Sequence, residues 1–583
     1  MRALRHFIVL SRFGAGFVFC ALLSIVAVAP PVSAKPAQLA ARVGDERPTL
    51  DKIKTGQPDF LVTRLQKALT ENGLYSGPVD GYMNKDVEEA IRAYQKNSGL
   101  KVNVRVTREL VERLETGIKV GLLLQRLETA KSDNIKAARA ALMSRPETRE
   151  LLRNRDTEAA DPTRDPAPCF KTPTARCLLD EAAESTKAIF KPEMRDWALG
   201  EVLVSQARAG FVKEAMNTVS RINDPRLVMV ALRDIAKAQA SAGRDAAALA
   251  AAEIIPDTLK QVEAYAQIAA IQAKRGRSEG VKNTIRQLLL ALEKEEEPLK
   301  RISFRARVAV IMSQAGDWEA ADANLKVAET LARSQAGTNE KKEGLRHIAS
   351  ALAKMEKPER ALMVLKETGD DPAGSSVLVS AAAAQARAGD ASQALSTAEG
   401  IEVMRYRAVV LSQIAAAQLE KGDHEQAIQT LQKAMAATKS VKRPFALDFA
   451  LGRIVLTMTS LSKVNGDFSQ PLNIAGKIKD NRMRAHILWS ISAERRRAGD
   501  AKGSLETENS AKEATAKIKS ALSQVWMFSE IAIDHLEIGE TGPAWAAFWR
   551  AMPIAGNISN SWGRARALSR LAATMIELGG KTK

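Results

Sequence analysis

Cysteine and histidine are nearly missing from this chain of 583 residues, with three of one and five of the other, widely scattered. That scarcity leaves little from which to build a Cys- or His-rich metal centre. His347, His424, His486 and His535 have no second ligand type at metal spacing. Aromatic residues are only 4% of the chain, which argues against a sandwich or jelly roll. No Gly-x-Ser-x-Gly elbow, phosphate-binding Walker loop or dinucleotide glycine fingerprint is present. The acidic run Glu293–Glu297 reads as surface charge rather than a glycosidase pair. The chain is therefore expected to be non-enzymatic, with no metal and no cofactor. What it does have is 45% hydrophobic and 26% charged residues, a globular balance dominated by helix formers. The net charge of +18 points to an anionic partner or surface. No basic-aromatic platform suggests nucleic acid.

Arg2, Arg5 and Arg12 precede an uncharged apolar stretch from Phe13 to Ala29, and Pro30, Pro31 and Val32-Ser33-Ala34 follow. This is the layout of a secretory signal cut after Ala34; an uncleaved anchor is the alternative. No second run is expected to span a bilayer. Cys20 follows Phe19 rather than a small residue, so lipidation is not expected. The two remaining cysteines, Cys169 and Cys177, lie among Pro166, Pro168 and Pro173. In an oxidising compartment they are expected to form a structural disulfide in a stiff connector.

From Asp59 the pattern is that of three short helices. Leu61, Leu65 and Leu69 form one stripe, ended by Asn72-Gly73. Ser76-Gly77-Pro78 and Asp80-Gly81 are turn chemistry. Asn84 caps a second helix carrying Val87, Ala90, Ile91 and Tyr94, and Thr107 caps a third with Leu110, Val111 and Leu114. Leu65-Gln66, Gly73, Asp80-Gly81, Ala90-Ile91, Tyr94-Gln95 and Gly99-Leu100 occur in an order and spacing that resembles the peptidoglycan-binding-like domain of bacterial cell-wall proteins. Val104 departs from a common turn glycine, and Asn84 stands where glycine is frequent. The resemblance implies non-covalent attachment to peptidoglycan. Lys85, Arg92, Lys96 and Lys101 could meet its carboxylates, and Tyr75, Tyr82 or Tyr94 its sugar faces. The groove candidates are Tyr75, Asp80, Asn84 and Gln95; Leu65, Ile91 and Tyr94 read better as core.

From residue 178 onward the sequence repeats itself about Gly210, Gly243, Gly276, Gly316, Glu356, Gly389, Gly422, Gly466, Gly499, Gly539 and Gly579. Small residues such as Ala236, Ala269 and Ala309 stand seven before these anchors, and Val202, Ile235 and Ile268 begin an apolar row eight before. Glycine takes the turn between two helices, and the small residues let those helices approach. Successive anchors are 33, 33, 40, 40, 33, 33, 44, 33, 40 and 40 apart. Seven extra residues are about two helical turns, so long units should carry a full second helix and short ones a truncated one. The register resembles the tetratricopeptide repeat, with Gly-Asp turns at Gly316-Asp317, Gly389-Asp390 and Gly422-Asp423. That resemblance implies a concave face for a protein or peptide partner, on which Arg233, Lys237, Arg346, Trp489 and Trp526 would lie. Arg195, Arg301, Arg407, Arg484 and Arg564, fifteen before their anchors, form either a basic ladder or simply helix starts.

The expected organisation is all-α. A signal peptide (1–34) and flexible linker (35–56) precede a three-helix domain (57–116) and a helical extension (117–151). A Pro-rich linker with the disulfide (152–177) then leads to an α-solenoid of helix–turn–helix units (178–583), about ten to eleven of them. The expected function is a periplasmic scaffold attached to peptidoglycan that recruits protein partners. The alternative is a regulatory subunit of a wall-remodelling or envelope-export enzyme.

Overall fold

A computed structural model describes residues 58–152, 159–369 and 372–582. The expected signal peptide and the linker behind it lie outside the described residues. Every regular element among the described residues is helical, and the chain divides into two compact units with the boundary between residues 137 and 138.

The first unit contains α1 (Phe60–Glu71), α2 (Lys85–Asn97) and most of α3 (Arg108–Met143). Asp59 caps α1 by accepting the backbone N–H of Leu61 and Val62, and Asn84 caps α2 through Val87 N–H. Leu65, Leu69, Val87, Ile91, Val111 and Leu114 make one closed core, and Arg64 clamps Glu115 of α3 with two hydrogen bonds of 2.9 and 2.8 Å. The third helix of the domain and the expected extension are one continuous helix. Its middle leaves Leu122, Leu123, Leu124 and Leu127 about half exposed.

The second unit begins with the last turn of α3 and the short helices α4 (Pro146–Arg149) and α5 (Ala167–Lys171), followed by α6 (Ala175–Lys187). Helix pairs then alternate. They are α7 (Pro192–Ala209) with α8 (Val212–Ser220), α9 (Pro225–Ser241) with α10 (Asp245–Glu253), α11 (Thr258–Lys274) with α12 (Ser278–Leu292), and α13 (Pro298–Gln314) with α14 (Trp318–Arg333). Next come α15 (Thr338–Lys354) with α16 (Pro358–Lys366), α17 (Ser375–Ala388) with α18 (Ala391–Glu399), and α19 (Met404–Lys421) with α20 (His424–Thr438). Last are α21 (Pro444–Asn465) with α22 (Ser469–Lys477), α23 (Asn481–Arg497) with α24 (Ala501–Ala516), α25 (Ala521–Glu537) with α26 (Thr541–Gly556), and α27 (Ser561–Glu577).

All eleven anchors have positive φ, including Glu356 at +57°. Glycine reaches this region without cost. Of the three departures from glycine noticed in the sequence, Glu356 and Val104 (φ +54°) are the two non-glycine residues with positive φ among the described residues, whereas Asn84 is extended at φ −139°. Second helices of the short units have nine residues, as in α8 and α10, whereas those of long units have 15 or 16, as in α12 and α14. The unit of 44 has a full second helix, α20 with 15 residues, and also lengthens the first helix that follows, giving α21 22 residues. That helix has the length and apolar composition of a membrane span, contrary to the expectation that no later stretch would. It is packed between α19 and α23, so it is apolar around most of its circumference.

Successive first helices pack on one another along the whole array, and α27 packs on α7. The array therefore closes into a ring with the first helices on its inner side. The last anchor, Gly579, has no helix after it, and α6 fills that place by packing along α27 as each outer helix packs on its own inner one. Eleven units thus complete one turn. At the seam, Arg566 makes a bidentate pair with Glu201, its closest contact 2.7 Å. Its guanidinium lies over Trp197 at 4.6 Å and Trp562 at 4.4 Å. The hydroxyls of Ser205 and Ser569 are 3.0 Å apart. The carbonyls of Lys581 and Thr582 accept the N–H groups of Ala175 and Arg176, satisfying the open first turn of α6. Cys169 and Cys177 are disulfide-bonded, and this bond fastens α5, which packs on α26, to α6. Cys169 sits in a short helix and Cys177 in the first turn of α6, so the connector ends earlier than expected.

Candidate functional site

In the small domain, two glutamines, Gln66 on α1 and Gln95 on α2, hold the two loops that follow. Gln66 is fully buried; its Nε2 donates to Asp80 Oδ1 (2.8 Å) and Tyr82 O (3.0 Å), and its Oε1 accepts Gly81 N–H at 2.7 Å. Gln95 donates to Asn103 Oδ1 and accepts the N–H groups of Asn103 and Val104. Asp80 is held below the usual carboxylate range by the Gln66 hydrogen bond and by Tyr82 N–H. Gly81, at φ +81°, brings the loop so close that a Cβ there would stand 2.7 Å from Thr63 Oγ1.

Of the four groove candidates, Tyr75 and Gln95 are turned inward. Tyr75 donates its hydroxyl to Pro78 O at 3.0 Å and is 5% exposed. Asp80 and Asn84 are at the surface, although one oxygen of each is committed, to Gln66 and to Val87 N–H. Tyr82 and Val79, 44% and 45% exposed, flank them, and Lys85 stands beside Asn84 at the start of α2. The loop therefore presents a tyrosine face, a fixed carboxylate, an amide and an ammonium on a rigid frame. Lys96 and Lys101 are exposed elsewhere on the domain, and Arg92 pairs with Glu88.

In the ring, the partner-binding candidates separate into three groups. Arg233 and Lys237 lie on α9. Arg233 is paired with Asp234 and Glu263; burial works against its charge, and the two acids outweigh it and raise its pKa. Lys237, Arg307 and Lys354 keep accessible surface, yet the protein around them strips hydration and pulls all three pKa values down. Lys237 is further repelled by Arg208, Arg233 and Lys274, Arg307 by Arg233, and Lys354 by Arg307. Basic side chains thus recur on α7, α9, α11, α13 and α15, with Asp234 and Glu263 set among them. Arg346 is on the same wall, in α15, beside His347, whose pKa burial lowers.

Trp489 and Trp526 are across the ring, on α23 and α25, and both are structural neighbours of other side chains. Trp489 is 7% exposed and donates Nε1–H to Thr515. Trp526 lies beside the guanidinium groups of Arg566 and Arg570. Several residues fifteen before the anchors act as braces: Arg407 donates to Glu399 O and Ile401 O, Arg564 to Ile558 O, and Gln524 to Ile518 O, whereas Arg484 donates to Asn481 Oδ1. The first three satisfy carbonyls at the ends of the preceding outer helices.

Sequence reasoning overlooked Arg307, Lys354 and Arg453. A signal existed for Arg307 alone, in a row nine before the anchors: Glu201, Asp234, Gln267, Arg307, His347, Ser380, Gln413, Thr457, Ser490, Glu530 and Arg570, polar in every unit.

Residues 61–114 match the family model described as "Putative peptidoglycan binding domain". No curated protein matches the chain. Among solved structures, the chain is similar to the crystal structure of Ton1535 from Thermococcus onnurineus NA1, at 16% identity and a TM-score of 0.27, covering 57% of this chain and 97% of that one. It is also similar to a circular tandem repeat protein with novel repeat topology and enhanced subunit contact surfaces, at 13% identity and a TM-score of 0.16, covering 89% and 95%.

Proposed function

We propose that this protein is a non-enzymatic scaffold of the bacterial periplasm, held on peptidoglycan by residues 57–116 and recruiting a protein or peptide partner on the inner wall of its ring. The observation that carries the attachment is the family match over 61–114 together with the rigid, exposed loop bearing Asp80, Tyr82 and Asn84. Tyrosine faces suit sugar rings, and exposed lysines suit stem-peptide carboxylates. Supporting the second half is the recurrence of basic side chains from Arg208 to Lys354, which favours an acidic segment of the partner. We read the repeats as tetratricopeptide-like because small residues flank each turn and Gly-Asp recurs there.

Co-sedimentation with purified sacculi tests the attachment. The chain from residue 35 should pellet, and a variant lacking 57–116 should stay in the supernatant. Tyr82→Ala should weaken pelleting several-fold, whereas Tyr94→Phe should not. Equal pelleting with and without 57–116 would remove the small domain as the anchor.

A further inference from the structure

One arginine of the inner wall differs from all those described above. Arg453, on α21, is 4% exposed. None of its guanidinium nitrogens meets an acceptor or an aromatic face among the described residues, and its Nη1 is fully enclosed. An unpaired buried cation is strongly disfavoured, and proteins normally give such a group a counter-charge. Burial alone lowers its pKa, to about 10, with no carboxylate contributing. The side chain lines a cavity of about 130 Å³ between α21, α23 and α25.

The other ionisable groups in that cavity already have partners. Glu494 is held by Arg497 and by Lys463 at 3.0 Å, and Asp534 by His486 at 3.0 Å. His535 and Arg497 both contact Glu540. Arg453 is thus the guanidinium of the cavity that has no hydrogen-bond partner among the described residues. Leu456, Trp489, Ile531 and Ile538 supply an apolar wall beside it, and exposed Ser460 stands at the rim. A doubly charged anion would sit too near Glu494 and Asp534 to be favoured. A single carboxylate on an apolar stem satisfies the guanidinium bidentately and covers the wall.

We propose that this cavity binds a monocarboxylate carrying a short apolar group, with its two oxygens on Arg453 and its stem against Trp489 and Ile531. The same chemistry is offered by a free branched acid or by the C-terminal leucine of a peptide.

Isothermal titration of the full chain with 4-methylpentanoate, with acetyl-Ala-Ala-Leu and with the amide of each tests this. At least one acid should bind saturably and at least tenfold more tightly than its amide. If the peptide leads by tenfold, the ligand is a chain terminus; if it does not, a free acid. Arg453→Gln should abolish binding while leaving the thermal midpoint unchanged or higher, because it removes an unpaired buried charge. Ser460→Phe, which keeps the arginine and blocks the rim, should also abolish it. Any one of four results overturns the proposal: no saturable binding of either acid at 10 mM, an amide as tight as its acid, inorganic phosphate as tight as the acid, or unchanged binding by Arg453→Gln.

Discussion

The junction between α7 and α9 inside the ring and the junction between α27 and α7 at its seam bring equivalent helix faces together with different chemistry. The interior one is apolar: Leu199, Leu203, Leu232 and Ile235 share one core. At the seam, Arg566 and Glu201 form a bidentate pair under Trp197 and Trp562, and Ser205 meets Ser569. Apolar packing is non-directional, so alternating small and apolar residues alone would let any unit follow any other. A buried fork-to-carboxylate pair is directional and fails when misaligned. Charged pairs also join some interior neighbours, Arg233 with Glu263 across α9 and α11 and Arg482 with Glu530 across α23 and α25. The contrast between the two junctions shows one device by which the chain specifies its closure, and each of the following changes breaks or sharpens it.

Arg566→Ala carries the largest expected effect. It strands Glu201 and removes the cation between the tryptophans; breaking a fully buried pair costs about 3–5 kcal/mol, and the partial exposure of Glu201 sets the loss below that. Arg333→Ala, which removes a half-exposed pair with Glu367 between interior units, should cost about 0–1 kcal/mol. Urea midpoints of the two variants measure the difference; similar losses would erase the contrast. Replacing Cys169 and Cys177 together by alanine should cost about 2–3 kcal/mol from the loss of a short covalent loop, with hydrogen exchange rising first in α6 if the bond serves the seam.

Smaller effects are expected at the turns. Glu356→Gly should stabilise by about 1 kcal/mol through relief of positive φ, offset in part by loss of the exposed contact with Arg387 at 2.7 Å. Gly389→Ala, at φ +96°, should move the thermal midpoint the other way. The mildest change concerns acid. Arg497 first, and His535 with it, hold the Glu540 carboxyl down at about 2. That contribution is present above the ordinary carboxylate range and is lost as pH falls towards about 2. Glu540→Gln should therefore flatten the decline of the urea midpoint between pH 5 and 2.5, and an unchanged decline would assign it to other acids.

Much of this architecture is legible in residue spacing, because turns and truncated helices leave local marks. The eleven anchors, the two lengths of outer helix and the strain at Glu356 and Val104 all follow from glycine positions and intervals. Closure does not. Helix α6 precedes the first anchor and is separated by nearly four hundred residues from the helix it completes, so no local pattern joins them. Arg453 was hidden for a related reason, since an arginine in an apolar helix shows its lack of a partner only when its neighbours from α23 and α25 are in place. In the small domain, sequence located the loop but not its facing: Tyr75 and Gln95 look like ligand contacts until their hydrogen bonds show them bracing the frame, with Tyr82 left outside.

Ser205→Cys combined with Ser569→Cys tests closure most directly, since the two hydroxyls are 3.0 Å apart and both residues are buried. Mild oxidation of the dilute protein should form one intramolecular disulfide, seen as faster migration on a non-reducing denaturing gel and loss of two reactive thiols. Free thiols after oxidation, or links only between molecules, would contradict a ring closed within one chain.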